Sequence, residues 1–364
     1  MSNAAYLTLE NGAVFEGRFF GAEGEATGEV VFSTGMTGYL EALTDPGFYG
    51  QILLETFPLI GNYGVIPCDF ESGVVGPKAY IVKYPCQDPS NFRSEGNLDT
   101  FFKERGIAGL CGIDTRAVTR MIRENGVMNG KITAKPPSEA DLAEIRAYRI
   151  TGAVAAVSRK TPRLFKTESP AGRRPTVALL DFGSARRVRE ALLQRGADVF
   201  EFPHDCAPKD IYAAKPDGIL LSNGPGDPAD NPGLIAGVAD MAASGAPVFG
   251  IGLGHQLLAL AHGFETYKLK YGHRGANQPV RDQATGRFYI TEQNHGYAVV
   301  SGSIDAKTAE QSFVNINDGT CEGVSYKNKP AFSAQFTPDS GGGANGTGFL
   351  YDRFFEAMGV SVCR

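Results

Sequence analysis

No apolar run in this chain approaches the roughly 18 residues that a bilayer-crossing helix needs, so no membrane span is expected. The first residues, MSNAAYLTLENG, carry neither the basic start nor the apolar stretch of a secretory signal, which points to a cytoplasmic protein. Basic charge is not in excess: 35 Lys and Arg stand against 40 Asp and Glu, a net charge of -5. Nonspecific nucleic-acid binding and a basic membrane-surface role are therefore not expected. The six cysteines, Cys68, Cys86, Cys111, Cys206, Cys321 and Cys363, never fall at C-x-x-C spacing. Scattered thiols of this kind read as reduced cysteines, not as a metal cluster or a disulfide framework. There is no repeat with a period of 20–50 residues, no phosphate-cradling lysine loop and no ATP motif, so no cofactor is expected. Histidine is scarce, and none follows His295.

What is present is the material of a globular α/β protein. Of 364 residues, 42% are hydrophobic and 21% charged, enough for two cored domains. The segment SRKTPRLFKTESPAGRRP, residues 158–175, is rich in Pro, Lys and Arg and reads as an exposed connector between domains at 1–157 and 176–364. The first half opens with short alternating runs, Ala5–Thr8 and Gly28–Ser33, expected to be strands. A helix is expected after Asp114 or Thr115 as N-cap, with Ala117, Val118, Met121 and Ile122 on its apolar face and Asn125-Gly126 at its end. That half reads as a mixed α/β domain. In the second half, TVALLD (176–181), Asp198–Phe202, DGILLS (217–222) and PVFGI (247–251) alternate with helical patterns. Strands buried on both faces, joined through helices, imply an open, mostly parallel sheet with helices on both sides. Phe288–Thr291, Tyr297–Val300 and Ala331–Gln335 read as further strands, and Phe349–Met358 as a closing amphipathic helix.

Ligands of open parallel sheets bind at the carboxyl ends of the strands. Two unusual segments fall at such ends: Ser222-Asn223-Gly224-Pro225-Gly226-Asp227-Pro228, and Gly250-Ile251-Gly252-Leu253-Gly254-His255-Gln256. The second is a strand–turn–helix, the arrangement that lifts a nucleophile above a sheet with backbone N–H groups behind it. Its apex, however, is Gly252. A dinucleotide fingerprint is excluded, because the third glycine of G-x-G-x-x-G is replaced by His255. His255 itself reads as a structural hydrogen-bonding residue at the helix start. Cys206 and His204 could form a substitute nucleophile pair, but side chains two apart in an extended segment point to opposite faces.

These blocks resemble the class I glutamine amidotransferases, and the whole chain resembles the small subunits of carbamoyl-phosphate synthases. The family elbow is G-I-C-L-G-H-Q, and the chain reads GIGLGHQ; SNGPGDP at 222–228, KLKYGHRGANQPV at 268–280 and QNHGYAV at 293–299 are similar to family blocks. GEVVFSTGMTGYLEALTDP (28–46), SNFR (90–93) and IDTR (113–116) are similar to the family's N-terminal domain. The resemblance implies a flavodoxin-like amidotransferase domain. It also implies a large-subunit partner in a heterodimer or higher assembly, and a role in supplying ammonia from glutamine for carbamoyl phosphate in pyrimidine or arginine biosynthesis. It places Gly224 and Leu253 at the oxyanion donors, and Gly226, Gln256, Asn294, Gly296 and Tyr297 at glutamine-contacting positions.

The same resemblance marks departures. Family hydrolysis uses a Cys thiolate, a His base and an orienting carboxylate. Those three places are held by Gly252, Thr337 and Asp339. Where the family commonly has D-P-S-Y, with a Ser that helps hold glutamine, this chain has Asp45-Pro46-Gly47-Phe48. Glycine forms no thioester, and a threonine hydroxyl is no base near neutral pH. The chain is therefore expected to be a small-subunit homologue without glutaminase chemistry. The alternatives are a non-catalytic glutamine sensor or scaffold, and a disarmed copy of an active subunit.

Overall fold

A computed structural model of the chain describes residues 4–168, 174–183, 186–338 and 346–360. The chain divides into two compact units between Ala153 and Val154.

In the first unit, seven strands close into a barrel. Ala4–Leu9 pairs with Val14–Gly21 on one side and with Met128–Thr133 on the other, which completes the ring. Ala26–Ser33, Gln51–Glu55, Ala79–Val82 and Ala108–Cys111 run parallel to their neighbours in that order. Strand periodicity sends alternate residues to opposite sides. Val31, Leu53 and Tyr80 pack in one cluster with Leu98, Phe101 and Phe102 of the helix Leu98–Arg105. Of the two N-cap candidates for the helix Thr115–Asn125, Asp114 takes the role: its carboxylate accepts from the Ala117 N–H at 2.9 Å.

In the second unit, ten strands form one sheet. Five are parallel, in the order Asp198–Pro203, Thr176–Asp181, Gly218–Leu221, Val248–Ile251 and Ala331–Ala334. Alternation along them builds two cores. Ala178, Leu180, Ile219, Leu221 and Val248 pack with Val238 and Met241 of the helix Pro232–Ala243 and with Leu257 and Leu258 of the helix Leu253–Ala261. Val177, Leu179, Leu220 and Phe249 pack with Val188 and Leu192 of the helix Arg186–Gln194 and with Leu350, Tyr351, Phe354 and Phe355 of the helix Phe349–Ala357. Helices thus cover both faces of the parallel strands, as the uninterrupted apolar runs require.

Beyond Ala331–Ala334 the sheet continues antiparallel through Cys321–Tyr326, Phe288–Val299, Thr266–Asp282 and Ala309–Asn315. Two expectations change here. Phe288–Thr291 and Tyr297–Val300 are ends of one twelve-residue strand, whose polar middle is buried among other polar groups. The expected connector at 158–175 also contributes to the sheet: Arg163–Phe165 pairs antiparallel with Val199–Glu201 at its edge. Two of its cations, Arg159 and Arg163, have partners there. Arg159 and Arg189 pair with Glu201, and the guanidinium groups of Arg159, Arg163 and Arg189 lie over the Phe165 ring. Among the described residues no helix is long and apolar enough to cross a membrane.

Candidate functional site

The strand Val248–Ile251 turns into the helix Leu253–Ala261 through a single residue, Gly252, at φ +55° and ψ −111°. A residue with a Cβ reaches this conformation only under strain, and strained φ values gather at catalytic turns. The turn is held from both sides. The Gly252 N–H donates to Ala334 O at 2.9 Å, and the Gly254 N–H donates to Ser222 O at 3.0 Å. The elbow geometry is therefore present in a chain whose elbow residue has no side chain.

Gly224 lies beside it for a steric reason. A Cβ on Gly224 would stand 2.1 Å from Phe182 O and 2.9 Å from Leu253 Cδ2. Gly224→Ala is expected to lower stability by about 1–3 kcal/mol, the usual cost of overpacking, read from urea melts. An unchanged midpoint would show that the 222–228 loop simply moves aside. Gly226 has φ +92° in the same loop, ahead of Asp227, whose carboxylate accepts from the Ala229 N–H.

Sequence reasoning missed the residue that occupies the elbow. A Cβ on Gly252 would lie 2.1 Å from Asn223 Oδ1, 2.6 Å from its Cγ and 3.1 Å from its Cβ. Asn223 Oδ1 also accepts a hydrogen bond from the Leu253 N–H at 3.2 Å. The Asn223 carboxamide fills the place where a side chain at 252 would begin, and takes the N–H that the resemblance assigns to an oxyanion. The signal in the sequence was the glycine itself: space vacated next to a short amide side chain.

Gln256, on the first turn of the helix, ties the elbow to the antiparallel strands. Its amide donates to Tyr297 O at 2.7 Å and to Gln335 Oε1 at 2.9 Å. Asn294, Gly296 and Tyr297 lie on the strand Phe288–Val299, with Asn294 opposite Arg274 and the position of a Gly296 Cβ 3.2 Å from Arg274 Nη2. Thr337 bridges to the same strand, its N–H donating to Glu292 O at 3.4 Å, and is half-buried. Three segments that sequence reasoning singled out, 222–228, 250–256 and 293–297, thus meet at the carboxyl side of the parallel strands. Asp339 lies outside the described residues, and Gly47 belongs to the other unit.

Behind this strand is a polar network whose parts the sequence did not connect. His273 Nε2 lies 2.8 Å from Asp318 Oδ2, and His273 Nδ1 lies 3.3 Å from Glu322 Oε1. Glu322 is fully buried and also accepts from Asn315 Nδ2 at 3.3 Å and from Gln293 Nε2 at 3.0 Å. His295 Nδ1 donates to Tyr297 O at 2.8 Å, and its Nε2 lies 3.1 Å from the Gln293 amide. Burial opposes charge on His273, but its bonds to Asp318 and Glu322 win and push it up to about 9. Burial, then the charged His273 beside it, holds His295 well below the usual histidine range. The ligand-type atoms of His273, His295 and Glu322 lie within 4.8 Å of one another, with His273 and Glu322 already paired to each other.

The remaining candidate bases and nucleophiles are His255, His204 and Cys206. His255 is fully buried, its Nδ1 lies 2.8 Å from Ser333 Oγ, and desolvation pushes it down to about 3. That is the structural role expected of it. His204 and Cys206 line a cavity of about 480 Å³ with Leu180, Phe182, Pro208 and Leu234. Burial, then Asp210 and Asp205, pushes the Cys206 thiol up, so no reactive thiolate is favoured there.

Comparison with known proteins finds a matching family for each half. The family "Carbamoyl-phosphate synthase small chain, CPSase domain" matches residues 7–132, and "Glutamine amidotransferase class-I" matches residues 178–357. The chain is 45% identical to the carbamoyl phosphate synthase small chain of Bacillus cereus over 98% of each chain. It is 42% identical to that of Caldanaerobacter subterraneus, covering 98% of this chain and 96% of the relative. It is also 42% identical to that of Listeria monocytogenes, covering 97% and 96%.

Proposed function

Because the chain belongs to the carbamoyl phosphate synthase small chain family, we propose that it is the small subunit of a carbamoyl-phosphate synthase whose glutamine cleft keeps its frame but does not cut the amide. The observation that carries this reading is position 252. The elbow turn has its strained φ, yet no sulfur stands on it, and Asn223 fills the space instead. Amide hydrolysis by thioester formation needs a thiolate at that apex and an imidazole to move the proton. Thr337 has no such group near neutral pH, His255 is fully buried and pushed down to about 3 by desolvation, and His295 is buried and held low. A carboxylate at 339 would have no imidazole to orient.

The large subunit would then use free ammonia in the cytoplasm, with this chain as its structural partner. Retention of the cradle supports the choice of glutamine as the molecule the cleft fits. Gly224 closes against Leu253, and Gln256 is fixed between Tyr297 O and Gln335. That same fixed cradle favours the second reading, a glutamine sensor that works without a large subunit.

The test is carbamoyl phosphate synthesis by this chain assembled with its large subunit. Ammonium salts are expected to support synthesis and glutamine is not. Glutamine-driven synthesis equal to the ammonium rate overturns the proposal. Glutamine binding by the isolated chain, with no association with any large subunit, favours the sensor instead.

A further inference from the structure

The geometry points to Asn223 as an internal occupant of the amide cradle, a carboxamide of the protein's own that competes with an external primary amide. This inference rests on the glutamine-cleft reading and deepens it. A glutamine side chain and an asparagine side chain end in the same group, one carbonyl oxygen and one NH₂. At this elbow the Asn223 carbonyl oxygen sits 3.2 Å from the Leu253 N–H, in the manner in which a substrate carbonyl would approach an oxyanion donor.

Two further observations make this more than one hydrogen bond. The first is steric. Asn223 Oδ1, Cγ and Cβ all fall within 3.1 Å of the place a Cβ on residue 252 would take. The carboxamide can occupy this position only because residue 252 is glycine, so the plug and the missing nucleophile are one structural event. The second is the anchoring of the neighbours on each side. Ser222 Oγ accepts from the Phe182 N–H at 2.8 Å and donates to Asn223 O at 2.9 Å, which fixes the Asn223 backbone. Gly224 is pressed against Phe182 O, where no larger residue fits. The side chain of Asn223 is thus delivered to the elbow from a rigid loop, and an incoming amide must displace it from Leu253 before it can use that N–H.

Displacing one neutral hydrogen bond costs an entering ligand a modest factor, about two- to tenfold in dissociation constant. The full-length chain and its Asn223→Ala and Asn223→Ser variants are compared in two ways. The first readout is hydrogen exchange of the Leu253 amide without ligand, referenced to the Gln256 amide, whose bond to Gly252 O reports an intact helix start. The second is calorimetric titration with L-glutamine. Expected are faster Leu253 exchange in both variants with Gln256 unchanged, and two- to tenfold tighter glutamine binding than the parent. Leu253 exchange that does not respond overturns the plug while leaving the glutamine-cleft reading in place. Leu253 released, but glutamine bound no better than by the parent, overturns the competition. If in addition no variant binds glutamine at all, the glutamine-cleft reading falls with it.

Discussion

Gly252→Cys alone is expected to leave glutamine hydrolysis at background, whereas Gly252→Cys combined with Thr337→His should raise ammonia release by at least two orders of magnitude over the parent. Each half of that expectation has its own physical reason. A cysteine at 252 inherits the φ +55° turn, and its Cβ meets Asn223 Oδ1 and Cγ, which rotation of that side chain clears, and Asn223 Cβ at 3.1 Å, which needs only a small shift. The thiol can therefore be seated. What it lacks is a base. A thiol of ordinary acidity is mostly protonated at neutral pH, and the buried imidazoles of the elbow region, His255 and His295, are both held below the range in which they would take its proton. Removing one member of a nucleophile–base pair costs nearly as much as removing both, about 10⁴–10⁶ in rate, so restoring one member returns little. The measurement is ammonia release from glutamine, coupled to glutamate dehydrogenase, by the parent, the two single variants and the double variant, each assembled with the large subunit. Full activity in the variant carrying only Gly252→Cys would place the base elsewhere. An inactive double variant whose introduced thiol is still alkylated readily would show that residue 337 does not reach the elbow.

The parallel half of the second unit was legible because each of its strands is a local signal. TVALLD, DGILLS and PVFGI are apolar on both faces, and the helices between them carry their own period, so neighbouring residues alone announce the layers. The elbow was legible for the same reason, as glycines between a strand and a helix. The antiparallel half was legible only in the two ends of the strand Phe288–Val299. The strand Thr266–Asp282 is interrupted by register shifts between Lys268 and His273 and between Gly275 and Gln278, and these erase the period of two from which strands are read. Barrel closure in the first unit is a pairing of Ala4–Leu9 with Met128–Thr133, residues more than a hundred apart, and nothing local encodes it. The Arg- and Lys-rich segment at 158–165 reads as solvated chain until Glu201 and Phe165 are placed beside it. Asn223 belongs to the same class: its role follows from contact with a residue about thirty positions away that lacks a side chain.

The polar network behind the cleft carries the largest expected effect on stability. Glu322 is fully buried among His273, Asn315 and Gln293, on the strand next to Ala331–Ala334. Deleting it as Glu322→Ala leaves an imidazolium buried with only Asp318 opposite it, along with two side-chain amides short of a partner. Removing one member of such a buried pair costs about 3–5 kcal/mol. The pH dependence gives a second, independent readout. His273 is raised in the folded state to about 9, against an ordinary value near 6.5. A raised histidine stabilises fully below its unfolded value, and that contribution is lost as pH rises toward and through 9. The parent is therefore expected to lose stability between pH 6.5 and about 9.5. Asp318 works in the other direction: burial opposes its charge, but His273 and Thr320 hold it well below the usual carboxylate range, so its contribution is lost only in strong acid. In His273→Gln the alkaline slope should flatten while the acid limb of the carboxylates persists. Denaturant melts of the parent, Glu322→Ala and His273→Gln across about pH 2–10 measure the cost, the alkaline slope and the acid limb. A Glu322→Ala cost below about 1 kcal/mol, or an alkaline slope in His273→Gln equal to the parent's, would mean that water reaches the network and that the strand bearing Asn294, Gly296 and Tyr297 is held by its backbone pairing alone.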